Sequence, residues 1–282
     1  MTMNLVLQGP GATLPELQRI AALAQPARLF ELGPHALRAE QVDDSAATRT
    51  AVEHAAFEAR IDATFIAAGR SLADFGLVAM DMDSTLITIE CIDEIADMQG
   101  LKAQVSEITE AAMRGELDFS ASLTRRVALL KGLDAGALQK VYDERLQISM
   151  GGEAMLAAVK AAGLKTLLVS GGFTFFTERL QERLGLDFSH ANVLDVEGGK
   201  LTGRVVGAIV DAEVKMQTVE RVCADIGIAP GQAIVMGDGA NDLKMMSIAG
   251  LSVAFRAKPV VRAKASIALN FSGLDGLIAI LA

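Results

Sequence analysis

The chain has 282 residues, enough to bury one large core or two smaller ones. A net charge of −9 with 4% aromatic residues and no Trp argues against nucleic-acid binding, which calls for basic patches and stacking rings. No apolar run approaches the roughly 20 residues of a membrane span, the start lacks the basic and apolar regions of a secretory signal, and two cysteines, Cys91 and Cys223, make no disulfide framework, so a cytoplasmic protein that does not engage membranes is expected.

Residues 1–72 read as a small α+β unit. Leu5-Val6-Leu7 is a candidate strand, and Gly9-Pro10-Gly11 a turn. Thr13 caps a helix through Leu17, Ile20 and Leu23, with Pro15 in its first turn, and Pro26 stops it. Leu29–Leu32 reads as a second strand, broken by Gly33-Pro34. A longer helix is expected from about Ala46 to Ala68, with Val52, Ala56, Ala59, Ile61 and Phe65 at helical spacing. His35 and His54 stand alone here and carry no chemistry. The unit reads as regulatory, dimerising or a structural appendage, which leaves a homodimer open.

From about residue 73 the pattern changes to α/β. Strand-like runs at Leu77–Met80, Leu164–Val169, Ala233–Met236, Leu251–Phe255 and Ile267–Phe271 alternate with amphipathic helices, which predicts a mostly parallel sheet. In such sheets ligands bind beyond the carboxyl ends of the strands. Between the first two strands, about 88–152, helices are expected at Glu90–Met98, Val105–Arg114, Ser120–Leu130 and Ala135–Tyr142. One helix suffices for a crossover, so the excess predicts a cap over the strand ends.

Four polar stations fall at those ends or open the following helix. The first is Asp81-Met82-Asp83, an acidic pair where an apolar strand gives out. Aspartate is ionised at neutral pH and needs no base to act as a nucleophile towards a phosphate ester, and a second carboxyl can serve the leaving oxygen as acid and the attacking water as base. The second is Ser170-Gly171-Gly172, a hydroxyl and two glycines before a helix at Phe173–Leu184, suited to hold phosphate. A hairpin follows across Asp195–Val206, with His190 in the loop before it. The third station is Lys215, in the first turns of a helix opened by Asp211, where it opposes the macrodipole unless it neutralises phosphate. The fourth is Gly237-Asp238-Gly239-Ala240-Asn241-Asp242. Asp81 and Asp238, with the backbone carbonyl of Asp83, form a candidate Mg²⁺ set, and Asp242 a group that orients it.

Taken together, these motifs resemble those of the haloacid dehalogenase superfamily of phosphatases and, more narrowly, its phosphoserine-hydrolysing family. The likeness is carried by Asp81 to Ile87, Glu90 to Ala96, Arg125-Arg126-Val127, Val169 to Phe173, Asp211 to Lys215 and Gly237 to Leu243, and spans about residues 75–282. It implies a Rossmann-like, mostly parallel sheet with an inserted helical cap. It also implies Mg²⁺-dependent hydrolysis of O-phosphoserine through an aspartyl-phosphate at Asp81, a step of serine biosynthesis. Asp83 would be the acid/base, and Asp81, Asp83 and Asp238 would place the metal. Ser170, Gly171, Lys215 and Asn241 would hold the phosphate side. Glu90 and Arg126 match the residues that recognise ammonium and carboxylate, a pairing that suits a zwitterion, while Met113 and Phe119 match apolar cap contacts. Rival readings are another small phosphomonoester substrate, a non-catalytic phospho-acceptor switch, and a ligand sensor.

Overall fold

Two sheets organise the computed structural model, which describes residues 2–113 and 116–282 apart from the side chain of Met113. The calls on Met113 as a cap contact and on Arg114 as a helix end therefore lie outside the described residues.

The first sheet is antiparallel, with strands β1 (Met3–Gln8), β2 (Arg28–Gly33), β3 (Ala36–Glu40) and β4 (Asp62–Ala67) in the order β2-β3-β1-β4. Helices α1 (Leu14–Ala21) and α2 (Ala46–Glu58) pack on one face, around Leu5, Leu7, Leu17, Ile20 and Val52. Period two sends Val6 and Ile66 to the other face, where they join the core of the second sheet. The helix expected over residues 46–68 is thus two elements. Arg60 takes a left-handed φ of 57° that ends the helix, and Asp62–Ala67 then alternates in burial, with β-branched and aromatic side chains that favour a strand. The strand β3 was not read from the sequence at all.

Asp62 joins the two sheets. Its carboxylate accepts hydrogen bonds from the backbone N–H of Asn270 (2.7 Å), Phe271 (3.2 Å) and Ser272 (2.8 Å) while the residue is 1% exposed. Gln8 adds a buried bond to the Gly276 carbonyl at 2.9 Å.

The second sheet begins with β5 (Leu77–Met80). After it come four cap helices, α3 (Cys91–Asp97), α4 (Lys102–Met113), α5 (Phe119–Leu129) and α6 (Gly136–Glu144). The chain continues through α7 (Gly152–Ala161), β6 (Lys165–Phe173), α8 (Thr174–Leu184), the hairpin β7 (Phe188–Glu197) and β8 (Lys200–Val206), and α9 (Ala212–Asp225). It closes with β9 (Ala233–Gly237), α10 (Leu243–Ser247), β10 (Leu251–Phe255), α11 (Pro259–Arg262), β11 (Ile267–Leu269) and α12 (Gly276–Leu281). The strand order is β11-β10-β9-β5-β6-β7-β8, parallel except where β8 returns along β7.

Register places the polar stations level with one another. Met80 pairs with Leu168 of β6 and Met236 of β9, so Asp81, Ser170 and Asp238 all emerge at the same end of the sheet. Strand β6 runs to Phe173 rather than ending at Val169, but its pairing with β7 shifts between those residues, which throws Ser170–Gly172 out of line. His190 lies within β7, not in a loop.

The cap is tied down on two sides. At its root Thr88 N–H bonds the Gln147 carbonyl (3.0 Å), and Ser149 N–H bonds that of Leu86 (2.9 Å). At its far side the hairpin takes up Gly132, Leu133 and Ala135 through backbone bonds of 2.8–2.9 Å to Leu201 and Gly199.

Candidate active site

The strand ends and the cap enclose a cavity of about 820 Å³. Its floor is built around a buried ammonium. Lys215, fully buried on the second turn of α9, sits 2.7 Å from Asp81 Oδ2 and 2.8 Å from Asp242 Oδ1. Asp211 makes that placement possible by capping α9, its Oδ1 accepting the N–H groups of Glu213 (2.9 Å) and Val214 (3.0 Å). Burial alone would lower the Lys215 ammonium, but the Asp242 and Asp81 carboxylates outweigh it and hold the group charged, above its ordinary value.

The other oxygens of these two aspartates are also occupied. Asp81 Oδ1 accepts the Met82 N–H at 2.7 Å, and Asp242 Oδ2 accepts those of Asp238 (3.2 Å) and Gly239 (3.0 Å). One oxygen from each of Asp81, Asp238 and Asp242 lies within 4.8 Å of the others. Asp81 and Asp242 each serve Lys215 and backbone amides, whereas Asp238 is held by a single long hydroxyl bond and is the least engaged of the three. The Asp83 carboxyl is not one of the three. Asp238 is steadied by the Thr85 hydroxyl, which donates to Oδ1 at 3.3 Å.

The crowding raises the carboxyls of the site. Burial, then Asp242, raise Asp81 well above the carboxylate range against the pull of Lys215. Asp83 is pushed up to about 8 by burial and by Glu90, and Asp238 to about 7 by burial, Asp242 and Glu90. Oxygen-only ligands packed this way suit a hard divalent ion, whose charge would relieve the repulsion.

Two glycines let the second station close on the first. A Cβ on Gly172 would stand 2.9 Å from Asp83 Oδ2 and 3.0 Å from Ser170 Oγ, and one on Gly171 would stand 2.6 Å from the Phe119 ring. Ser170 is fully buried and accepts the Gly172 N–H at 2.8 Å. Asn192 clamps the turn from behind, donating to the Gly171 carbonyl and accepting the Val210 N–H, both at 2.8 Å.

The cap supplies the opposite wall. Glu90, Asp93, Phe119, Ser122 and Arg126 line the cavity with Asp81, Asp83, Ser170, Gly171, Asp238 and Asn241. Glu90 is raised by its setting, an effect the Ser84 hydroxyl opposes by donating to Oε1 at 2.7 Å. Arg126 Nε and Asp93 Oδ1 are buried without a hydrogen-bond partner. Of the expected residues with described side chains, only Lys215 and Asp242 do not line the cavity; they lie beneath its floor.

Sequence reasoning missed Lys258, Asn192 and Asp93. Lys258 follows β10, and its N–H bonds the Asp238 carbonyl at 3.2 Å while the residue lines the cavity. The strand-end rule applied to Leu251–Phe255 flags Arg256 and Lys258 directly. Asn192 is one of several polar residues along β7, a signal too common to stand out.

A family model described as haloacid dehalogenase-like hydrolase matches residues 75–250. A phosphoserine phosphatase of a Polaromonas species is 56% identical over 212 residues, 73% of this chain and 90% of the relative. A crystal structure of a probable phosphoserine phosphatase from Vibrio cholerae superposes with a TM-score of 0.84 at 36% identity, covering 99% of this chain and 86% of the other. A structure of a phospho-aspartyl intermediate analogue of phosphoserine phosphatase superposes with a TM-score of 0.69 at 38% identity, covering 74% and 99%.

Proposed function

The chain belongs to the haloacid dehalogenase-like hydrolases, and from that premise we propose that it is a Mg²⁺-dependent phosphoserine phosphatase of serine biosynthesis. The observation that carries this reading is one cavity with two chemistries on facing walls. Its floor joins Asp81 of the acidic pair to a buried lysine, and its roof carries a carboxylate, Glu90, and a guanidinium, Arg126, whose Nε is buried and unpartnered. A phosphorylated amino acid needs both walls: metal and hydrogen-bond donors for phosphate, an anion for ammonium and a planar fork for carboxylate.

In this mechanism Asp81 attacks the phosphorus. Its carboxylate is oriented by the Met82 N–H on Oδ1 and by Lys215 on Oδ2, and the lysine also keeps the floor from becoming a bare cluster of anions. Burial and the Glu90 carboxylate push Asp83 up to about 8, which suits it to give a proton to the departing serine oxygen. It then takes a proton from the water that cleaves the aspartyl-phosphate. Ser170, the Gly171 amide and Asn241 hold the phosphoryl oxygens, Lys215 lends them its charge from below, and Phe119 closes over Gly171 to exclude water. Mg²⁺ held by Asp81, Asp238 and the Asp83 carbonyl would polarise the phosphoryl group and offset its charge. Asp242 holds Lys215 and the Asp238 loop in place.

The wider assignment follows the same reading. Residues 1–72 and 73–282 are proposed as separate domains, with a cap at about 88–152; the two distinct sheets support this. Two buried free cysteines fit a reducing cytoplasm. A homodimer is the assembly favoured by the edge strand β2, where Leu29 and Phe30 are exposed, and sedimentation of the intact protein tests it.

The decisive measurement is phosphate release from a panel of small phosphomonoesters with and without Mg²⁺. Phosphoserine is expected to be the best substrate, and Asp81→Asn to lose about 10⁴-fold or more in kcat. Unchanged turnover in that variant would remove Asp81 as nucleophile, and preference for a sugar phosphate would remove the assigned specificity.

A further inference from the structure

Ser84 is the residue in the site whose backbone and side chain both call for a reason. It takes φ 55° and ψ 4°, the left-handed region, where glycine, asparagine or aspartate would sit at lower cost. Nothing in the phosphate chemistry uses it. Its N–H donates to the Ile89 carbonyl at 3.2 Å and its hydroxyl to Glu90 Oε1 at 2.7 Å. One residue earlier, Asp83 Oδ1 accepts the Cys91 N–H at 3.3 Å. The loop that leaves the nucleophile is therefore pinned at three successive points to the segment that enters the cap.

The next hydroxyl in the chain makes a useful contrast. Thr85 donates to Asp238, on the metal side of the cavity. Two adjacent side chains thus steady two carboxylates of different function. Glu90 also feels the Asp93 carboxylate and the Arg126 and Lys258 cations, so the Ser84 hydroxyl supplies the hydrogen bond that fixes its direction.

We propose that Ser84 is a positioning residue for amine recognition, its left-handed turn and its hydroxyl together aiming the Glu90 carboxylate at the substrate ammonium. This rests on the reading of the cavity as a phosphoserine site. The left-handed turn brings the hydroxyl to Glu90, and the charge-assisted bond fixes one carboxylate oxygen, which leaves the other for substrate. The same contact links recognition to chemistry, because a shift of Glu90 is transmitted to Asp83 through the loop that both share.

The test compares Ser84→Ala and Ser84→Gly on phosphoserine and on 3-phosphoglycerate, which carries a hydroxyl where phosphoserine carries the ammonium. Both variants are expected to lower the kcat/KM ratio of phosphoserine to 3-phosphoglycerate by roughly tenfold, mainly through KM for phosphoserine, the size of a lost bond to a charged group. Phosphoethanolamine, which keeps the ammonium, should fall with phosphoserine. Ser84→Gly removes the backbone cost along with the hydroxyl, so a variant at least as heat-stable as wild type that still loses discrimination assigns the effect to the hydroxyl. Equal losses on all three substrates, or full discrimination in Ser84→Gly, would overturn the proposal. A wild-type protein that ignores phosphoserine overturns the functional reading and this inference with it, whereas normal wild-type turnover with unchanged ratios in the variants sinks this inference alone.

Discussion

The floor and the roof of the cavity are built on opposite terms. On the floor Lys215 bridges Asp81 and Asp242, and the remaining oxygens of both aspartates accept backbone amides. On the roof Arg126 Nε and Asp93 Oδ1 are buried without partners. A buried polar group left unpaired costs about 1–3 kcal/mol, which a matching ligand can recover. The floor is thus complete before substrate arrives, as electrostatic preorganisation requires, whereas the roof is completed by the substrate. Rate should depend on the first and selectivity on the second.

Lys215→Met should break this contrast most severely. It strands two buried carboxylates, and losing one partner of such a network costs about 3–5 kcal/mol, so urea denaturation should report a loss of that order along with the loss of turnover. A variant as stable as wild type would mean that the floor is not held by its central cation. Arg126→Ala should do the reverse. It removes an unpaired buried Nε together with the guanidinium's attraction to Asp93 and Glu90, so the stability loss should be smaller than for Lys215→Met, while kcat/KM for phosphoserine falls about 30-fold relative to phosphoethanolamine, which has no carboxylate. Parallel losses on both substrates would take Arg126 out of recognition.

A smaller effect sharpens the electrostatic side. Burial and neighbouring acids push Asp238 up to about 7 and Asp83 up to about 8, against about 3.9 when unfolded. The folded state therefore holds protons that the unfolded state has released. The stability this gives is complete below about pH 4 and is lost as pH rises through about 7 and 8, at up to about 1.4 kcal/mol per pH unit for each group. The metal-free melting temperature should fall from pH 5.5 to 8.5, and Mg²⁺ should raise it more at the higher pH. A flat profile would show that the carboxylates do not repel one another as their spacing implies.

What could be read from the chain divides along physical lines. Five of the parallel strands, β5, β6, β9, β10 and β11, were legible because each is an apolar run, and the rule for strand ends then picked out Asp81, Ser170 and Asp238; β7, which opens Phe188-Ser189-His190, was not. Residues 61–66 were not, because apolar spacing there fits a helix as well as a strand, and only the left-handed Arg60 and pairing with β1 decide it. Glu90 and Arg126 came from resemblance, since nothing local distinguishes them from a solvated helix face. The turn at Ser84 escaped for a different reason: its partners are set by a backbone conformation that residue type does not announce.

Asp62 carries a consequence for the chain as a whole. Three neighbouring amides at the tail of the catalytic sheet, those of residues 270–272, have their acceptor more than two hundred positions upstream. The beginning of the polypeptide thereby stitches its end, and the seam is sealed further by Val6 and Ile66. Cutting the first sheet away would unpick that stitch, leaving a row of thirsty donors beside bare hydrocarbon at the sheet's outermost strand.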